Sequence, residues 1–505
     1  MINMPRLAKD DFFDKIAQQG FAITYDDVRM KTGHSKVLPA NVDVRTRFSR
    51  NISLQIPIVS AAMDTVTEHQ MAIGIARLGG LGIIHKNMSV KQQASEVATV
   101  KYHMNGIIEK PISLRDDQTI EQLLNMKQEK DYKFDTFPII NSNGTLVGLI
   151  TKHDIDFCNN YSLPISQVMT RKPIVEKDGL SIENAYKTMK SRKIKVLPLV
   201  NGNRKLKGMY VFSDVKRLVD GNQSGFNLDS KGQLIVGAAI GVGEAALERL
   251  EALMRKKVDV IVIDTAHGDT DTYLDTLKQI KSKYCSLDVV VGNISEASSA
   301  KNLIDAGADG IKIGQGPGSI CTTRIIAGIG CPQVTAIYNC AKIAEEYGIP
   351  VCADGGLRYP GDIPIAIGAG AYSVMMGSML AGTDEAPGEF VFQEGRRWKT
   401  YRGMGSLGAM TASKESRERY RQSGKNRDEL IPEGVEGIVP YKGTLREVIV
   451  QYIGGLRNGM GYVGVENIDE LRTKADFYLL TAAARAESHP HDIKITKEAP
   501  NYQVG

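Results

Sequence analysis

The sequence predicts an α/β fold, namely a (β/α)8 or TIM barrel that is interrupted after its second unit by an inserted tandem repeat. Two observations predict it. Eight short apolar runs alternate with helix-like segments, and this alternation is typical of a parallel sheet. A repeat with a spacing of 60 residues lies between the second and third runs, as the positions of Pro138 and Pro198 illustrate.

The eight runs are predicted barrel strands because strands that are buried on both faces are apolar throughout rather than alternating. In chain order they are Ile56–Ser60, Gly80–His85, Leu234–Ala238, Val260–Asp264, Val289–Asn293, Gly310–Ile313, Pro350–Asp354 and Ser373–Gly377. Eight strands, each followed by a helix, are the number that closes a barrel of this type.

One turn suggests an alternative fold. Residues Gly241–Ala246 read GVGEAA after the third strand, and Asp264 follows roughly twenty residues later, as in a dinucleotide-binding fingerprint. A Rossmann sheet would leave the polar ends of the other strands unexplained, whereas a barrel uses all of them. The barrel is therefore favoured.

The repeat consists of two α+β modules in which FPIIN from Phe137 corresponds to LPLVN from Leu197. The pair resembles the cystathionine-β-synthase-type (CBS) modules of a Bateman domain, which bind adenine or guanine nucleotides between them. The resemblance implies one CBS domain over residues 105–222, with repeats at about 105–164 and 165–222, and places barrel segments at 1–104 and 223–505. A structural insertion without a ligand is the alternative.

The residues that carry this resemblance are Asp154 and Asp214. Thr151 precedes the first by three positions, as the ribose-contacting pattern of these modules requires, but Val211 stands at the corresponding place in the second repeat. The resemblance therefore implies ATP or GTP as possible ligands, with one of the two nucleotide sites altered.

Composition excludes several classes of protein. The chain has 505 residues and a net charge of +5, which gives no argument for a nucleic-acid partner. Its six cysteines are scattered, so neither a zinc cage nor a disulfide framework is indicated. No signal-peptide pattern and no apolar run long enough for a membrane helix is present, so we expect a cytoplasmic protein with no membrane partner.

Candidate catalytic residues follow the strands, because enzymes of this fold carry their chemistry at the carboxyl ends of the strands. Cys321 lies in the loop Gly314–Arg324, whose glycines allow close approach of a ligand, and cysteine is a strong nucleophile as a thiolate. Asp354-Gly355-Gly356 follows the seventh strand and Gly377-Ser378 the eighth, where barrels often bind phosphate.

A polar segment at about 400–443 is too rich in charge to be barrel wall and is predicted to be a mobile lid. It contains Arg419 and Tyr420, for which a solvated helix face is the alternative interpretation. Near the carboxyl end, Glu487, Ser488 and His489 could suggest a metal site, although such polar tails are usually only solvated.

Five motifs together resemble one family, the inosine-5′-monophosphate (IMP) dehydrogenases. They are GPGSICTTR around Cys321, DGG at Asp354, GS at Gly377, YRGMGS from Tyr401 and PEG around Glu433. The resemblance covers essentially the whole chain, including the inserted repeat. The form of the cysteine motif, and Glu433 where animal enzymes carry glutamine, resemble the bacterial members.

The resemblance implies a reaction, the committed step of guanine nucleotide biosynthesis. Cys321 would attack C2 of the inosine base, hydride would pass to NAD, and the covalent thioimidate would be hydrolysed to xanthosine 5′-monophosphate after the lid enters the cofactor site. Arg419, with Tyr420 beside it, corresponds to the general base of the family, and Thr323 to a second water-activating residue.

The resemblance also implies binding residues and an assembly. The substrate would be held by Ser319, Asp354, Gly355, Gly356, Gly377, Ser378, Tyr401, Arg402, Gly403, Met404, Gly405 and Glu433. NAD would be held by Asp264, Gly314, Gln315 and Gly316. A monovalent cation, usually K⁺, would be held by Gly316, Gly318 and Cys321, with Glu487, Ser488 and His489 of a neighbouring subunit. This shared site implies a homotetramer, possibly paired into an octamer.

Two alternative functions remain. Guanosine monophosphate (GMP) reductases share the barrel and the cysteine loop, but typically carry RGMSS, lack the Arg-Tyr pair and usually lack the inserted modules. Gly405, Arg419 and Tyr420 therefore favour a dehydrogenase. The other alternative is a nucleotide sensor with an inert barrel, against which the intact set of Cys321, Asp354 and Arg419 argues.

Overall fold

The computed structural model describes residues 7–104, 107–130, 132, 134–220 and 225–502. They form two compact units. The larger contains the described residues within Met1–Lys101, Gly225–Leu228 and Leu234–Gly505, and the smaller those within Tyr102–Ser224 and Asp229–Gln233. The predicted domain boundaries at residues 105 and 222 lie outside the described residues. Within the described ranges, no helix is both long and apolar enough to cross a bilayer.

The larger unit is a closed barrel of eight parallel strands, so the predicted fold is confirmed. The strands are β1 (Ile58–Ser60), β2 (Leu81–Ile84), β3 (Gly237–Ile240), β4 (Val260–Asp264), β5 (Asp288–Ile294), β6 (Gly310–Ile313), β7 (Val351–Asp354) and β8 (Ser373–Met376). β8 pairs with β1, and β2 pairs with β3, so the sheet closes across the insertion in the sequence.

The barrel interior is packed with apolar side chains. Val59 of β1, Val262 of β4 and Met375 of β8 belong to one buried cluster. Phe48 joins this cluster, and its carbonyl oxygen lies 2.8 Å from the place that a Cβ on Gly310 would take, at the first residue of β6. The amino-terminal end of the barrel is therefore covered, and only the carboxyl-terminal rim is left for a site.

Eight helices surround the strands. They are α1 (His69–Ala76), α2 (Val90–His103), α3 (Glu244–Met254), α4 (Asp271–Lys283), α5 (Ala297–Asp305), α6 (Gln333–Glu346), α7 (Asp362–Ala369) and α8 (Leu445–Val463). α7 is buried along its whole length because α6, α8 and the helix Ile468–Lys474 all pack against it. Its apolar sequence follows from this position, since a helix covered on every side has no polar face.

The third strand begins later than predicted. The sequence pattern indicated Leu234–Ala238, but Leu234 instead forms an antiparallel bridge with Leu228. The register with β2 places Gly237 opposite Ile83 and makes it the first residue of β3. Pairing with two neighbouring strands, rather than apolar content alone, decides where this strand starts.

Between β8 and α8 the chain forms a three-stranded antiparallel sheet on the rim. Its strands are Phe390–Gln393, Arg396–Arg402 and Glu436–Pro440. The predicted lid, residues 400–443, therefore begins and ends with strand residues of this sheet. We use "lid" below for 403–435, the segment between the second and third strands, and "lid helix" for Lys414–Arg419 within it.

Shorter elements complete the larger unit. Val28–Met30 pairs with Phe477–Leu479, and Thr46–Arg47 pairs with Ser53–Leu54, both antiparallel. The remaining α-helices are Ala8–Gln18, Thr323–Ile326, Ser378–Ala381, Leu407–Ala412, Ile468–Lys474 and Ala482–Glu487, and short 3-10 helices lie at Tyr25–Asp27, Pro39–Asn41 and Arg427–Glu429.

The smaller unit contains two sheets that repeat one arrangement. The strands of the first are Leu114–Arg115, Phe137–Ile140, Leu146–Ile150 and Thr170–Arg171, and those of the second are Glu176–Lys177, Val196–Val200 and Leu206–Val211. The helices are Ile120–Glu129, Lys152–Asp156, Ile165–Val168, Ile182–Arg192 and Phe212–Asp220. Each sheet has a register shift at an equivalent place, after Ile139 and after Leu199, so the sequence repeat is also a structural repeat.

Candidate active site

The loop that carries Cys321 follows β6 and is held by backbone hydrogen bonds to the end of the lid. The Thr322 N–H donates to the Glu433 carbonyl at 3.0 Å, and the Val435 N–H donates to the Ile320 carbonyl at 2.9 Å. Cys321 lies between these two bonds, so its backbone is held on both sides.

Two glycines of the same loop occupy places where no other residue fits. Gly314 has a φ of +148°, and a Cβ there would lie 2.2 Å from the Asp354 carbonyl oxygen. Gly316 has a φ of +75°, and a Cβ there would lie 2.7 Å from Cγ of Arg324. Because both φ values are strained for residues with a Cβ, these glycines are required by the close packing of the loop.

Cys321 is the first member of a short polar chain. Its Sγ lies 3.1 Å from Oγ1 of Thr323, and that hydroxyl donates to Oε2 of Glu433 at 2.7 Å. When Thr323 gives its proton to this bond, its oxygen can accept one from a thiol or a water beside Sγ. The arrangement brings together three predicted residues and provides a route for a proton away from the sulfur.

The turns after β7 and β8 are glycine turns that face the cavity. Gly355 and Gly356 have φ values of +86° and +81°, so both lie in the left-handed region that favours glycine. A Cβ on Gly377 would lie 2.6 Å from the Tyr401 hydroxyl oxygen. All four residues line the same cavity as Cys321, where N–H groups free of a Cβ can approach a phosphate.

The Tyr401 phenol is a neutral donor at this place. Burial raises its pKa above the ordinary value of 10.0, although Ser319 and the backbone of Ser378, both near its hydroxyl, oppose the rise. Ser319, Ser378 and Tyr401, which the sequence predicts to bind the nucleotide, therefore meet around the Tyr401 hydroxyl group.

Sequence reasoning missed Lys312, which lies at the centre of the site. Its Nζ lies 2.6 Å from Asp354 Oδ2 and 3.1 Å from Asp264 Oδ1, and it also donates to the Asn293 side-chain oxygen. A lysine that is 2% exposed needs such partners to remain charged. The available signal was a charged residue in the middle of the apolar run Gly310–Ile313.

The lid helix ends inside the cavity. Arg419 forms an ion pair with Asp264 through Nη1, and its carbonyl accepts a hydrogen bond from the Ala266 N–H at 3.2 Å. Asp264 is the residue predicted to hold the cofactor. In this structure the lid and a cofactor would therefore compete for the same carboxylate.

Tyr420 packs against Gly405. A Cβ on Gly405 would lie 2.5 Å from the Tyr420 ring, a distance that ring and backbone cannot accommodate without moving. Burial raises the pKa of Tyr420, while the positive charge of Arg419 opposes the rise. Glycine at this position is thus a requirement of the observed lid placement.

Arg402, a predicted substrate residue, contacts Asp64 instead of lining the cavity. Its Nη2 lies 2.6 Å from Asp64 Oδ2, and the same carboxylate accepts from the Asn87 side chain at 2.6 Å. Asn87 in turn accepts from the Ser416 hydroxyl of the lid helix at 3.2 Å. Arg402 therefore belongs to a polar chain that reaches the lid helix.

One of the predicted cofactor residues has chemistry that suits a dinucleotide. Asp264 offers a buried carboxylate that can accept from ribose hydroxyls. Gln315 is held by Ser295, whose hydroxyl donates to its side-chain oxygen at 2.7 Å. Thr265, the residue after Asp264, donates its hydroxyl to the His267 carbonyl at 2.9 Å.

The residues predicted to complete a cation site lie away from the Cys321 loop of their own chain. Glu487 ends a surface helix, the Ser488 hydroxyl donates to Ala484, and the His489 ring lies 5.7 Å from the Tyr359 ring. Within the described ranges, no group of three or more His, Cys, Asp or Glu side chains could hold a metal ion. The predicted cation site, which draws on carbonyl groups of one chain and on residues of a neighbouring subunit, stays a prediction.

One cavity of about 410 Å³ collects most of the predicted residues. Those that line it are Asp264, Gly314, Gln315, Gly316, Gly318, Ser319, Cys321, Thr323, Asp354, Gly355, Gly356, Gly377, Ser378, Tyr401, Gly403, Met404, Arg419, Tyr420 and Glu433. Such a volume is sufficient for a small ligand. The cavity brings together the predicted nucleophile Cys321, the glycine turns after β7 and β8, and the end of the lid helix beside Asp264.

Comparison with known proteins agrees with this arrangement. Residues 22–491 match the family model for the IMP dehydrogenase / GMP reductase domain. The chain is 48% identical to inosine-5′-monophosphate dehydrogenase of Aquifex aeolicus, over 95% of this chain and 98% of that protein. It is 45% identical to inosine-5′-monophosphate dehydrogenase of Bacillus subtilis, over 97% of this chain and 99% of that protein.

A solved structure is also similar. It is a cysteine-to-alanine variant of GMP reductase from Trypanosoma brucei in complex with guanosine 5′-monophosphate, with a TM-score of 0.82 and 38% identity. The match covers 95% of this chain and 100% of that one, so the inserted unit does not separate dehydrogenases from reductases. With most of its length matched by the family model and by full-length relatives, the chain belongs to the IMP dehydrogenase / GMP reductase family.

Proposed function

We propose that this protein oxidises IMP to xanthosine 5′-monophosphate with NAD, the committed step of guanine nucleotide biosynthesis. The relatives from Aquifex aeolicus and Bacillus subtilis support this activity. The observation that carries the proposal is the contact between Gly405 and Tyr420, since a serine at 405, as in the reductase motif, would leave no room for the tyrosine ring. Only the dehydrogenase needs a lid that enters the site to assist hydrolysis.

In the first half-reaction, the Cys321 thiol gives its proton to the Thr323 oxygen as Thr323 gives its own to Glu433, Sγ bonds to C2 of the base, and the hydrogen on C2 leaves as hydride. NAD, when bound, accepts this hydride, and Asp264, Gly314, Gln315 and Gly316 are the residues proposed to hold it. Lys312 joins Asp264 to Asp354, the carboxylates proposed for cofactor and nucleotide. In this structure, the loop that carries Sγ makes backbone contacts to Glu433 and Val435 at the end of the lid.

The substrate is proposed to bind across the glycine turns after β7 and β8. Its phosphate would meet Gly355, Gly356, Gly377, Ser378, Ser319 and Tyr401, and its base would meet Gly403, Met404, Gly405 and Glu433. Asp354 would accept from the ribose. Arg402 would support the site without touching the substrate, because its guanidinium is paired with Asp64.

In the second half-reaction, water attacks C2 of the thioimidate, the C–S bond breaks, and Cys321 leaves as the thiol. Arg419 is proposed to take the proton of that water, with Tyr420 beside it. An arginine is an unusual base because its ordinary pKa exceeds about 12. In this structure its guanidinium is paired with Asp264 through Nη1, and its buried Nε has no hydrogen-bond partner among the described residues. Thr323, which donates to Glu433, is the second proposed acceptor.

The remaining expectations are proposals as well. A K⁺ ion would be held by carbonyls of Gly316, Gly318 and Cys321 with Glu487, Ser488 and His489 of a neighbouring subunit, which requires a homotetramer, possibly paired into an octamer. We derive no chemical step from it. Because IMP and NAD are soluble metabolites, we also propose a cytoplasmic location.

Residues 105–222 are proposed to be a regulatory CBS pair that binds ATP or GTP. The repeated sheets of the smaller unit support this assignment. In the first repeat, the Thr151 hydroxyl donates to Asp154 at 2.7 Å, which holds this carboxylate at a helix start. Val211, at the corresponding place in the second repeat, has no hydroxyl. We expect Asp154→Asn to weaken ATP binding in equilibrium dialysis more than Asp156→Asn does.

The main proposal is tested by assaying both the dehydrogenase reaction and the reductase reaction. Purified protein should form NADH and xanthosine 5′-monophosphate from IMP and NAD. Oxidation of NADPH with GMP, together with no reaction on IMP, would instead identify a reductase and contradict the proposal.

A further inference from the structure

The loop that carries Cys321 is built around the side chain of Arg324, a residue without an assigned role. Its Nε donates to the Gln315 carbonyl at 3.2 Å, and its Nη2 donates to the Cys331 carbonyl at 2.5 Å. These two carbonyls lie near the start and the end of the loop, which connects β6 to α6. Because a guanidinium is planar and carries several donors, one side chain joins both ends of the segment that contains the nucleophile.

Two glycines leave the room that this side chain needs. Gly316 packs against Cγ of Arg324, as described above. A Cβ on Gly330 would lie 2.8 Å from Nε of Arg324 and 2.6 Å from the Gln315 carbonyl oxygen, and its φ of +140° also favours glycine. The backbone on both sides of the loop therefore closes on Arg324 so tightly that no Cβ fits between them.

The helix that Arg324 belongs to carries groups of the proposed chemistry. This helix, Thr323–Ile326, begins two residues after Cys321. Thr323, the neighbour of Arg324 in the sequence, has the hydroxyl that lies 3.1 Å from Sγ. Bonds that fix Arg324 therefore also fix the sulfur and the hydroxyl beside it.

The bonds of Arg324 do not involve the lid. The backbone bonds at Thr322 and Val435 attach the other side of the loop to the end of the lid, so they depend on where the lid lies. Neither carbonyl partner of Arg324 belongs to the lid. Arg324 can thus hold the loop during hydride transfer, the half-reaction for which the proposed chemistry keeps the lid out of the site.

We propose that Arg324 is a positioning residue for the Cys321 nucleophile. It acts through the loop, by joining the carbonyls of Gln315 and Cys331, and sets the place of Sγ independently of the lid. This inference rests on the proposed function, since it assumes that Cys321 attacks the substrate.

The test measures the first burst of NADH by stopped flow on enzyme saturated with IMP and NAD. Arg324→Met should slow the burst about 10²-fold, because a displacement of about 1 Å in a reacting group costs about this factor. Arg324→Lys should be intermediate, because an ammonium lacks the fixed fork that binds two carbonyls. Arg396→Met, which removes an exposed arginine of the rim sheet, should retain the native burst.

Added guanidinium ion distinguishes positioning from a general loss of structure. In Arg324→Ala, guanidinium chloride at a non-denaturing concentration should bind the two free carbonyls and restore part of the burst, whereas sodium chloride at the same concentration should not. In Arg324→Met the longer side chain fills the space, so guanidinium should restore nothing. A slow burst in folded Arg324→Ala that guanidinium leaves unchanged would reduce Arg324 to a structural role and contradict the proposal.

The glycine beside the guanidinium gives a second test. Gly330→Ala should slow the burst as Arg324→Met does, because the new Cβ would displace Nε. Gly328→Ala is the matched control, since Gly328 also has a positive φ, of +68°, but a Cβ there meets nothing within 4 Å. Native-like bursts in Arg324→Met and Gly330→Ala, with folding checked by thermal unfolding, would overturn the inference.

Hydrogen exchange separates this inference from the proposed function, because it needs no turnover. The amides of Cys321 and Ala327 donate within the loop, to the carbonyls of Gly318 and Thr323, and should exchange faster in Arg324→Met. Unchanged exchange would contradict the role of Arg324 in holding the loop. Faster exchange in the variant, together with no NADH formation by the native enzyme, would overturn the proposed function alone.

Discussion

The Cys321 loop and the lid face the same cavity, but different interactions hold them. The loop is held by its backbone, through the bonds of Thr322 and Val435 and through glycines that accept no Cβ. The lid helix is held mainly by charged side chains, Arg419 on Asp264 and Glu415 on Arg249, with one backbone bond from the Ala266 N–H to the Arg419 carbonyl. A backbone hydrogen bond always joins the same two groups. In an ion pair, by contrast, a ligand of the same charge can replace one of the two side chains.

This difference suits the two half-reactions of the proposed chemistry. The sulfur has to stay at C2 of the base throughout, so a loop fixed by backbone contacts is appropriate. The lid and the cofactor have to alternate at Asp264, so an attachment made of exchangeable ion pairs is appropriate. Changes in the loop should therefore affect both half-reactions, and changes in the lid only the second.

The largest effect is expected for Cys321→Ala. Without the nucleophile, no covalent intermediate forms, and NADH formation should fall by a factor on the order of 10⁴ or more. A stopped-flow measurement of the first turnover checks this, with exposed Cys285→Ala as the control that retains native activity. Substantial first-turnover NADH from the alanine variant would remove Cys321 from its role.

Arg419→Ala should separate the half-reactions. Loss of the proposed general base should slow hydrolysis about 10³-fold and leave the first burst of NADH nearly unchanged. The covalent adduct should then accumulate and be visible by mass spectrometry of acid-quenched protein. Arg427→Ala, an exposed lid variant, should show no accumulation, and if Arg419→Ala shows none either, the assignment fails.

Gly405→Ser should have a smaller effect of the same kind. Its side chain would meet the Tyr420 ring, and the displaced lid should slow hydrolysis about 10²-fold while the burst is retained. Gly437→Ala is a matched control, because a Cβ at 437 meets nothing within 4 Å. Equal steady-state rates for the two variants would contradict the steric explanation.

The smallest effect concerns pH. With the lid in place, Lys86 has a pKa of about 7, set first by burial and then by Arg419 and Arg249 against Glu418 and Glu415. With the lid away, we expect its pKa to return toward 10.5. At pH values above about 7, return of the lid therefore releases a proton. Rising pH should then favour the docked lid, by at most about tenfold per pH unit.

Hydrogen exchange of the lid-helix amides in the apo enzyme measures this equilibrium, after correction for the intrinsic pH dependence of exchange. Protection should increase between about pH 7 and pH 9 in the native protein and should stay constant in Lys86→Met. A native-like pH dependence in the variant would exclude Lys86 as the titrating group.

Much of the site could be predicted because its signals are local. The glycines and serine around Cys321, the DGG turn at Asp354 and the GS turn at Gly377 each follow an apolar strand, and the barrel rule then brings the strand ends together. The start of β3 was predicted wrongly, because pairing with its neighbours rather than hydrophobicity sets its register.

Other residues could not be predicted because their roles depend on distant partners. Lys312 is one charge in an apolar strand until barrel closure places it between Asp264 and Asp354. In the sequence, Lys86 and Arg249 resemble ordinary surface cations, but in the structure both are buried, and Arg249 pairs with Glu415 of the lid helix. Arg402 belongs to a motif of the family, yet the structure pairs it with Asp64.

By itself, the sequence determined the number and order of the barrel strands, the place of the insertion and the position of the nucleophile, because apolar runs, repeats and glycine turns act over a few residues. Only the tertiary structure decided which charges are buried together, where the lid ends and why residue 405 has to be glycine. Burial and ion pairing depend on residues far apart in the chain, and their energies exist only after the barrel has closed.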